Sequence, residues 1–523
     1  MTDDPVLVAG STGYVGGRLI PRLLERGYKV RAMARTPAKV GCRPWAGHPG
    51  LEIVPADVLD QESLLNAVTG CGTAFYLIHS MNPTAKNFAH MDRDAAKNMA
   101  AAASQGGLKR IIYLGGLGAE DAELSPHLRS RMEVAKILQS SSARVTFLRA
   151  AAILGSGSAS FEILRYLVDR LPVMVAPRWV RTACQPIAIR NVIGYLIGCL
   201  EHEETADQTF DICGPDIVTY EELFAIYSQE AGLRKRLIIP VPVLTPKLSS
   251  YWISLVTPVH ASLARPLALG LRNTVVCKDN RIRSIIPQDL LGCRETIRTA
   301  LERVRQQKVE TCWSDAGYTC PPEWMQTGDA AYAGGTILDC AYRMRLKAAP
   351  EDVWEPIRRL GGDTGWYFAD YLWKLRGLID TLMGGVGLRR GRRSPVDIAV
   401  GDALDFWRVL EARQGERLLL LAEMKTPGEA TLEFQMEPLP RGEVELRQIS
   451  RFLPRGLWGI LYWYALYPLH RRLFAGMLRS IARAARRPIT MRPEPFKPSG
   501  VESCGIGVAH NHRKPGKDGT NAR

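Results

Sequence analysis

The 523 residues contain no CxxC pair, no HExxH, no EF-hand loop and no phosphate-loop lysine motif. These absences argue against a zinc module, a zinc protease, a calcium sensor and a P-loop NTPase. The eleven cysteines are scattered, so they read as reduced thiols of a cytosolic protein rather than a disulfide framework. His510 and His512 lack Cys or acidic neighbours, and no metal is expected. Long apolar runs are also missing. The uncharged stretches Leu248–Ala264 and Gly456–His470 are 17 and 15 residues long and contain Pro258 and Pro468, short of the ~20 residues that a spanning helix needs. Met1–Pro5 carries no basic or apolar leader pattern, so no export is expected. Acid is the scarcer charge, with 53 Asp+Glu against 68 Lys+Arg, a formal balance of +15. From Arg471 to Arg523 there are twelve Lys/Arg and three Asp/Glu, so +9 of the excess is C-terminal. That distribution argues against a nucleic-acid surface spread over the folded domains.

With 46% hydrophobic and 23% charged residues, the chain is globular and long enough for two large domains. Over the first 150 residues, short β-type runs (Val6 to Ala9, Tyr28 to Ala34, Leu51 to Val54, Ala74 to Ile78, Arg110 to Leu114, Val145 to Leu148) alternate with helical patterns. Parallel strands need such crossovers, so the expected class is α/β, a doubly wound Rossmann-type parallel sheet. The predicted domains are 1–308, with a nucleotide half to about 150 and a substrate-side extension to 308, then a linker over 309–335. The next is 336–487, where antiparallel strands and one long amphipathic helix, Leu457–Arg486, predict an α+β helix-grip domain with an apolar cavity. The proline-spaced remainder, 488–523, reads as a disordered basic tail.

Gly10-Ser11-Thr12-Gly13-Tyr14-Val15-Gly16 stands between the strand Val6–Ala9 and a helix. Glycines there let the backbone turn tightly and approach a pyrophosphate, whose charge meets the free N–H groups of the helix start. Gly10, Thr12, Gly13, Tyr14, Val15 and Gly16 are therefore the expected dinucleotide-binding residues. Nineteen residues after Gly16 comes Arg35, not an acid. A guanidinium suits a 2′-phosphate, which favours NADP(H) over NAD(H). Asp57-Val58 follows the third strand, where the pair could meet adenine or simply end the strand in a turn.

The run Val8 to Gly17, Val-Ala-Gly-Ser-Thr-Gly-Tyr-Val-Gly-Gly, resembles the nucleotide-binding opening of the atypical, NmrA-like short-chain dehydrogenase/reductases. Leu148-Arg149-Ala150 and Gln185-Pro186-Ile187 look like later strands of that superfamily, and 336–486 resembles START-like helix-grip domains. The resemblance implies an NAD(P)H-dependent oxidoreductase. Its catalytic members carry a Ser after the fifth strand and Tyr-x-x-x-Lys on the next helix. Here the strand ends Tyr113-Leu114-Gly115-Gly116, and the helix opens Ser125-Pro126-His127 and continues to Arg131.

His127 and Arg131 share one helical face at the Tyr/Lys separation. Arg131 could hold the cofactor's ribose or nicotinamide end, while His127 or His79, after the fourth strand, could donate a proton. Arg149 is expected near the nicotinamide. Arg389-Arg390-Gly391-Arg392-Arg393 reads as a solvated loop, with an anion or membrane-headgroup contact as the other reading. The expected function is hydride transfer with an apolar carbonyl or quinone-like substrate, which the second domain shields or delivers. A non-catalytic NADPH-sensing or assembly protein is the alternative. The expected location is cytoplasmic, with peripheral contact at the inner membrane surface through the C-terminal helix and tail as an option.

Overall fold

The computed structural model describes residues 4–41, 43–78, 88–118, 126–241, 274–305, 310–311, 337–388 and 392–498. His79, Arg389, Arg390, Leu248–Ala264 and the chain from 499 onward lie outside them.

The N-terminal sheet contains β1 (Val6–Ala9), β2 (Val30–Ala34), β3 (Leu51–Pro55), β4 (Thr73–Tyr76), β5 (Arg110–Gly116), β6 (Arg144–Ala150) and β7 (Thr209–Ile212). They pair in the order β7-β6-β5-β4-β1-β2-β3, all parallel. Alternate residues of β1 enter different cores. Val6 and Val8 pack with Leu19 of α1 (Gly16–Glu25) and Val192 of α7 (Ile189–Glu201). Leu7 and Ala9 pack with Leu64 of α3 (Gln61–Val68), Met99 of α4 (Phe88–Gln105) and Leu138 of α5 (Pro126–Leu138). Two covered faces explain the near-continuous apolar strands. The order reverses between β1 and β4, which opens a crevice at their carboxyl ends. Short α2 (Pro37–Gly41) follows β2, α6 (Ala159–Arg170) and α8 (Tyr220–Glu230) lie beyond the sheet, and α9 (Cys293–Arg305) packs on α8.

The C-terminal sheet is antiparallel. Its strands are β8 (Leu338–Leu346), β9 (Ala403–Leu404), β10 (Trp407–Arg413), β11 (Arg417–Ala422), β12 (Gly428–Leu439), β13 (Glu443–Pro454) and β14 (Ile489–Pro495), in the order β9-β10-β11-β12-β13-β8-β14. Helices α10 (Pro350–Ile357), α11 (Asp370–Leu382) and α12 (Gly456–Ala484) belong to this half.

Three expectations need correction. The tail does not begin at 488: Ile489–Pro495 adds an edge strand beside β8. Its prolines hid it, yet edge strands tolerate proline. The linker does not begin at 309, because Thr311 is fully buried against the nucleotide domain. The second sheet carries the largest core cluster among the described residues, including Trp366, Trp373, Phe406, Trp407, Trp463 and Phe474. Finally, Cys213 and Cys277 form a disulfide across 64 residues, at the sheet end beside Leu117 and Ala151. No sequence spacing signals that pair; the fold brings it together.

Candidate functional site

The glycine turn closes tightly at the crevice. Gly10 has φ +102°, and a Cβ there would stand 2.9 Å from the Leu77 carbonyl oxygen just beyond β4. A Cβ on Gly16 would stand 2.2 Å from the Gly10 oxygen, so the turn admits only glycine at that place. Gly13 N donates to Gly10 O at 3.0 Å, and the Ser11 hydroxyl ties the turn to β2 through Met33 O at 2.6 Å. Thr12, Gly13, Tyr14 and Val15 are half-buried. Helix α1 has no acid in its first turn, and Val15 at its N-cap supplies no side-chain cap. The helix start therefore keeps its affinity for an anion, and the cradle fits a dinucleotide pyrophosphate.

Two residues under this turn escaped the sequence reading. Arg18 is buried, stacks on the Tyr14 ring at 4.5 Å and donates to Ser156 O at 2.8 Å. Thr311 donates to Tyr14 O at 2.9 Å, and a Cβ on Gly17 would meet its Cγ2 at 2.7 Å. A buried arginine in a glycine-led helix was the available signal for Arg18; Thr311 offered none.

Arg35 is exposed immediately after β2. Lys39, four residues on, is buried, and the turn at Gly401 of the second domain presses on it: a Cβ there would lie 2.5 Å from Lys39 Cε. Asp57 accepts from Leu59 N at 3.1 Å, which is the turn geometry anticipated as one of its two readings. Val58 is buried, and its carbonyl receives Asn98 Nδ2 at 2.9 Å.

The catalytic candidates do not converge among the described residues. His79 lies outside them; His127 stands in the first turn of α5, with its side chain also outside. Arg131 is buried at 3% exposure, and its Nη1 lies 3.4 Å from Asp92 Oδ2. Ser130 donates to the same oxygen at 3.2 Å, and Tyr113 Oη donates to Arg131 O at 3.4 Å. Arg131 Nη2 has no hydrogen-bond partner among the described residues. Within the structure Arg131 ties α5 to α4 through its buried ion pair with Asp92. Burial pushes the Tyr113 hydroxyl up to about 12, and burial likewise raises that of Tyr76. Neither phenol ionises near neutral pH.

Glycine at 115 is also enforced. A Cβ there would stand 2.7 Å from Phe147 Cε2, and one on Gly116 would meet Leu128 Cδ2 at 3.0 Å. Arg149 Nε donates to buried Asp211 at 2.7 Å. Asp211 in turn accepts from Lys278 N and Asp279 N. A groove of 330 Å³ beside Arg149, lined by Met132, Lys136, Phe147, Asp279 and Arg281, lies on the flank of α5, away from the glycine turn. Arg392 and Arg393, read as part of a solvated run, are engaged. Arg393 grips Asp402 at 2.8 and 3.0 Å, and Arg392 Nη2 donates to Arg358 O at 2.6 Å. Among the described residues, no His, Cys, Asp or Glu cluster could hold a metal ion.

Residues 10–165 match the NAD(P)H-binding family, and residues 332–477 match a family described as a protein of unknown function (DUF2867). The chain is 33% identical over 117 residues to a 3-beta-hydroxysteroid dehydrogenase of Mycolicibacterium neoaurum, covering 21% of this chain and 31% of that protein. It is 25% identical over 264 residues to the chloroplastic divinyl chlorophyllide a 8-vinyl-reductase of Arabidopsis thaliana, covering 46% and 61%. The chain thus spans less than two thirds of the length of either relative. The Citrobacter sp. triphenylmethane reductase complexed with NADP(H) is 20% identical with a TM-score of 0.47, over 56% of this chain and 99% of that one. The N-terminal half is an NAD(P)H-binding domain of Rossmann-like fold.

Proposed function

We propose that this chain is an NADPH-dependent oxidoreductase acting on an apolar carbonyl or quinone-like substrate. The observation that carries the reading is the glycine-only turn at the β1/β4 crevice, followed by an exposed Arg35 where an acid would bind a ribose 2′-hydroxyl. Gly10, Gly13 and Gly16 admit the pyrophosphate, with Thr12, Tyr14 and Val15 around it. Arg35 takes the 2′-phosphate by charge-assisted hydrogen bonds, and Asp57 and Val58 flank the adenine. The dihydronicotinamide, when bound, supplies the hydride. His127 or His79 donates the proton, and Arg131 acts as a positioning residue that holds α5 in register. The second domain acts as a START-like module for the apolar partner. In support, Trp373 Nε1, Trp407 Nε1 and Gln448 Oε1 are buried without hydrogen-bond partners, as donors and an acceptor for a bound molecule would be.

The second reading, a non-catalytic NADPH sensor or assembly protein, is favoured by Gly115, where a Cβ would stand 2.7 Å from Phe147 Cε2 in place of the superfamily's serine. One experiment separates them. NADPH and NADH are titrated against wild type and Arg35→Ala, and NADPH oxidation is followed with a panel of quinones and aldehydes. The oxidoreductase reading expects tighter NADPH binding, loss of that preference in Arg35→Ala, and turnover that falls in His127→Ala or His79→Ala. Equal affinity for both nucleotides overturns the NADPH assignment. Tight NADPH binding with no turnover on any acceptor gives the sensor reading.

A further inference from the structure

Two helices of the second domain wear their apolar faces outward. On α11, Trp373, Gly377 and Asp380 are buried, while Leu375, Leu378, Leu382 and Met383 are exposed, Leu382 to 75%. That three-and-four spacing is an amphipathic stripe turned away from its own core. On the N-terminal half of α12, Leu457, Trp458, Leu461 and Tyr464 are exposed in the same rhythm, Trp458 to 78%. The C-terminal half of α12 behaves normally, burying Leu473, Phe474, Met477 and Ile481. Exposed apolar residues therefore concentrate in one region, and an apolar surface of this kind marks an interaction site.

The two stripes adjoin. The loop between β11 and β12 is held to α11 by Lys425 N donating to Asp380 Oδ1 at 2.7 Å and Lys425 Nζ donating to Met383 O at 3.0 Å. Two residues later it meets the start of α12, where Arg455 N donates to Pro427 O at 2.9 Å. A Cβ on Gly459 would stand 2.4 Å from that same oxygen.

We propose that α11, this loop and the N-terminal half of α12 form a docking face that seats in the surface of an anionic lipid leaflet. Charge selects the occupant. Residues 455–487 contain seven Arg and no Asp or Glu. On α11 Lys374 is exposed, and the single acid over 371–395, Asp380, is fully buried, faces Arg376 and is spent on Gly387 N and Lys425 N, while Arg471, Arg472, Arg479, Arg483 and Arg486 of the 455–487 stretch are exposed. A second copy would set these cations against one another, whereas anionic headgroups neutralise them. Exposed Trp458, Tyr464 and Tyr371 are the residue types that favour the headgroup boundary. No helix among the described residues is long and apolar enough to cross a membrane, so the helices lie in the interface plane. This contact narrows the one expected through the C-terminal helix and tail: the apolar anchor is α11 with the N-terminal half of α12, ahead of the basic half.

Full-length protein is co-sedimented with vesicles of phosphatidylcholine alone or with about one-quarter phosphatidylglycerol, each of whose headgroups adds attraction for the basic rim. Binding is expected on the anionic vesicles and about tenfold weaker on the neutral ones. Leu382→Glu and Trp458→Glu are each expected to lower binding by about tenfold or more, since each removes a large apolar burial. Lys97→Glu, at an exposed position on α4 of the N-terminal half, makes the same kind of charge change and is expected to keep binding within about twofold, as screened charges away from the face contribute little. The α11 and α12 variants both sit at exposed positions, and an unchanged Tm with unchanged near-UV tryptophan signal of the second domain checks that they fold. Three results overturn the proposal: equal binding to both vesicle types, equal losses in all three variants, or a dimer by light scattering that Leu382→Glu dissociates.

Discussion

The glycine turn gives a sharp quantitative test at Gly16. In Gly16→Ala the new Cβ would lie 2.2 Å from Gly10 O, 2.9 Å from Gly10 C and 3.1 Å from Ser11 Cα, all backbone atoms. No rotamer relieves that clash. The Gly10 carbonyl must retreat by about 1 Å to reach an ordinary contact, yet it also accepts the hydrogen bond from Gly13 N that closes the turn. Overpacking of this kind costs about 1–3 kcal/mol. In a domain of this size that lowers Tm by roughly 2–4 °C per kcal/mol. Any phosphate on the turn loses aligned donors as well, at about 1.5–3 kcal/mol for each hydrogen bond to a charged group. One such loss weakens NADPH by at least about tenfold. Calorimetric titration and thermal melting read both effects. Gly41→Ala is the control: nothing lies within 4 Å of its added Cβ, and its cost should stay within about 0.5 kcal/mol. Wild-type affinity and wild-type Tm in Gly16→Ala would refute both the close turn and its role in holding the dinucleotide.

The buried pair predicts that Asp92→Ala, which leaves the Arg131 cation without its carboxylate at 3% exposure, costs about 3–5 kcal/mol in urea unfolding. Asp92→Leu with Arg131→Met should recover most of that; an undiminished loss in the double variant rejects the pair as its cause. Asp405 is pushed up to about 6 by burial, against smaller opposing effects from Trp366 Nε1, Gly362 N and Arg392. A carboxyl raised on folding contributes stability that is complete below its unfolded pKa and is lost as pH rises through its folded one. Asp405→Asn should therefore match wild type near pH 4 and become more stable by about 3 kcal/mol above pH 7, and a pH-independent difference in melting would remove the assignment. The Cys213–Cys277 disulfide predicts that alkylation of the denatured, unreduced protein labels at most nine of the eleven cysteines. Closing a loop of 64 residues is worth about 4 kcal/mol on a chain-entropy account, which Cys213→Ser with Cys277→Ser should forfeit. Eleven labelled thiols would exclude the bond.

The parallel sheet was legible because its signals are local. Val6–Ala9 runs into Gly10 and Gly16, and alternation of apolar runs with helical patterns leaves little choice of topology. What the sequence could not show was direction. The spacing of His127 and Arg131 establishes a shared helical face, but not that Asp92, 39 residues earlier, closes over Arg131. Likewise the start of α12 carries an amphipathic pattern, which ordinarily points to the core; here it points to solvent, and only burial reveals it. The edge strand Ile489–Pro495 fails for a different reason: its pairing partner β8 lies about 150 residues away, and its prolines suggest a tail.

A recurring device links these differences. Buried aspartates fix loops that neither sheet reaches: Asp211 takes Lys278 N and Asp279 N, Asp380 takes Gly387 N and Lys425 N, and Asp402 takes Ala399 N. Each also draws in a cation, Arg149 at 2.7 Å, Arg376 at 3.9 Å and Arg393 at 2.8 Å. Three arginines that look free in the sequence are thus bound within the fold, where an unpaired charge would be costly. The formal balance of +15 consequently overstates what a partner meets across the folded surface and understates its concentration. The outward cations of α12, Arg471 and Arg472 among them, have no acid on their own helix to answer them. They follow the exposed apolar stripe by two turns, so charge and apolar surface that composition treats separately are presented together.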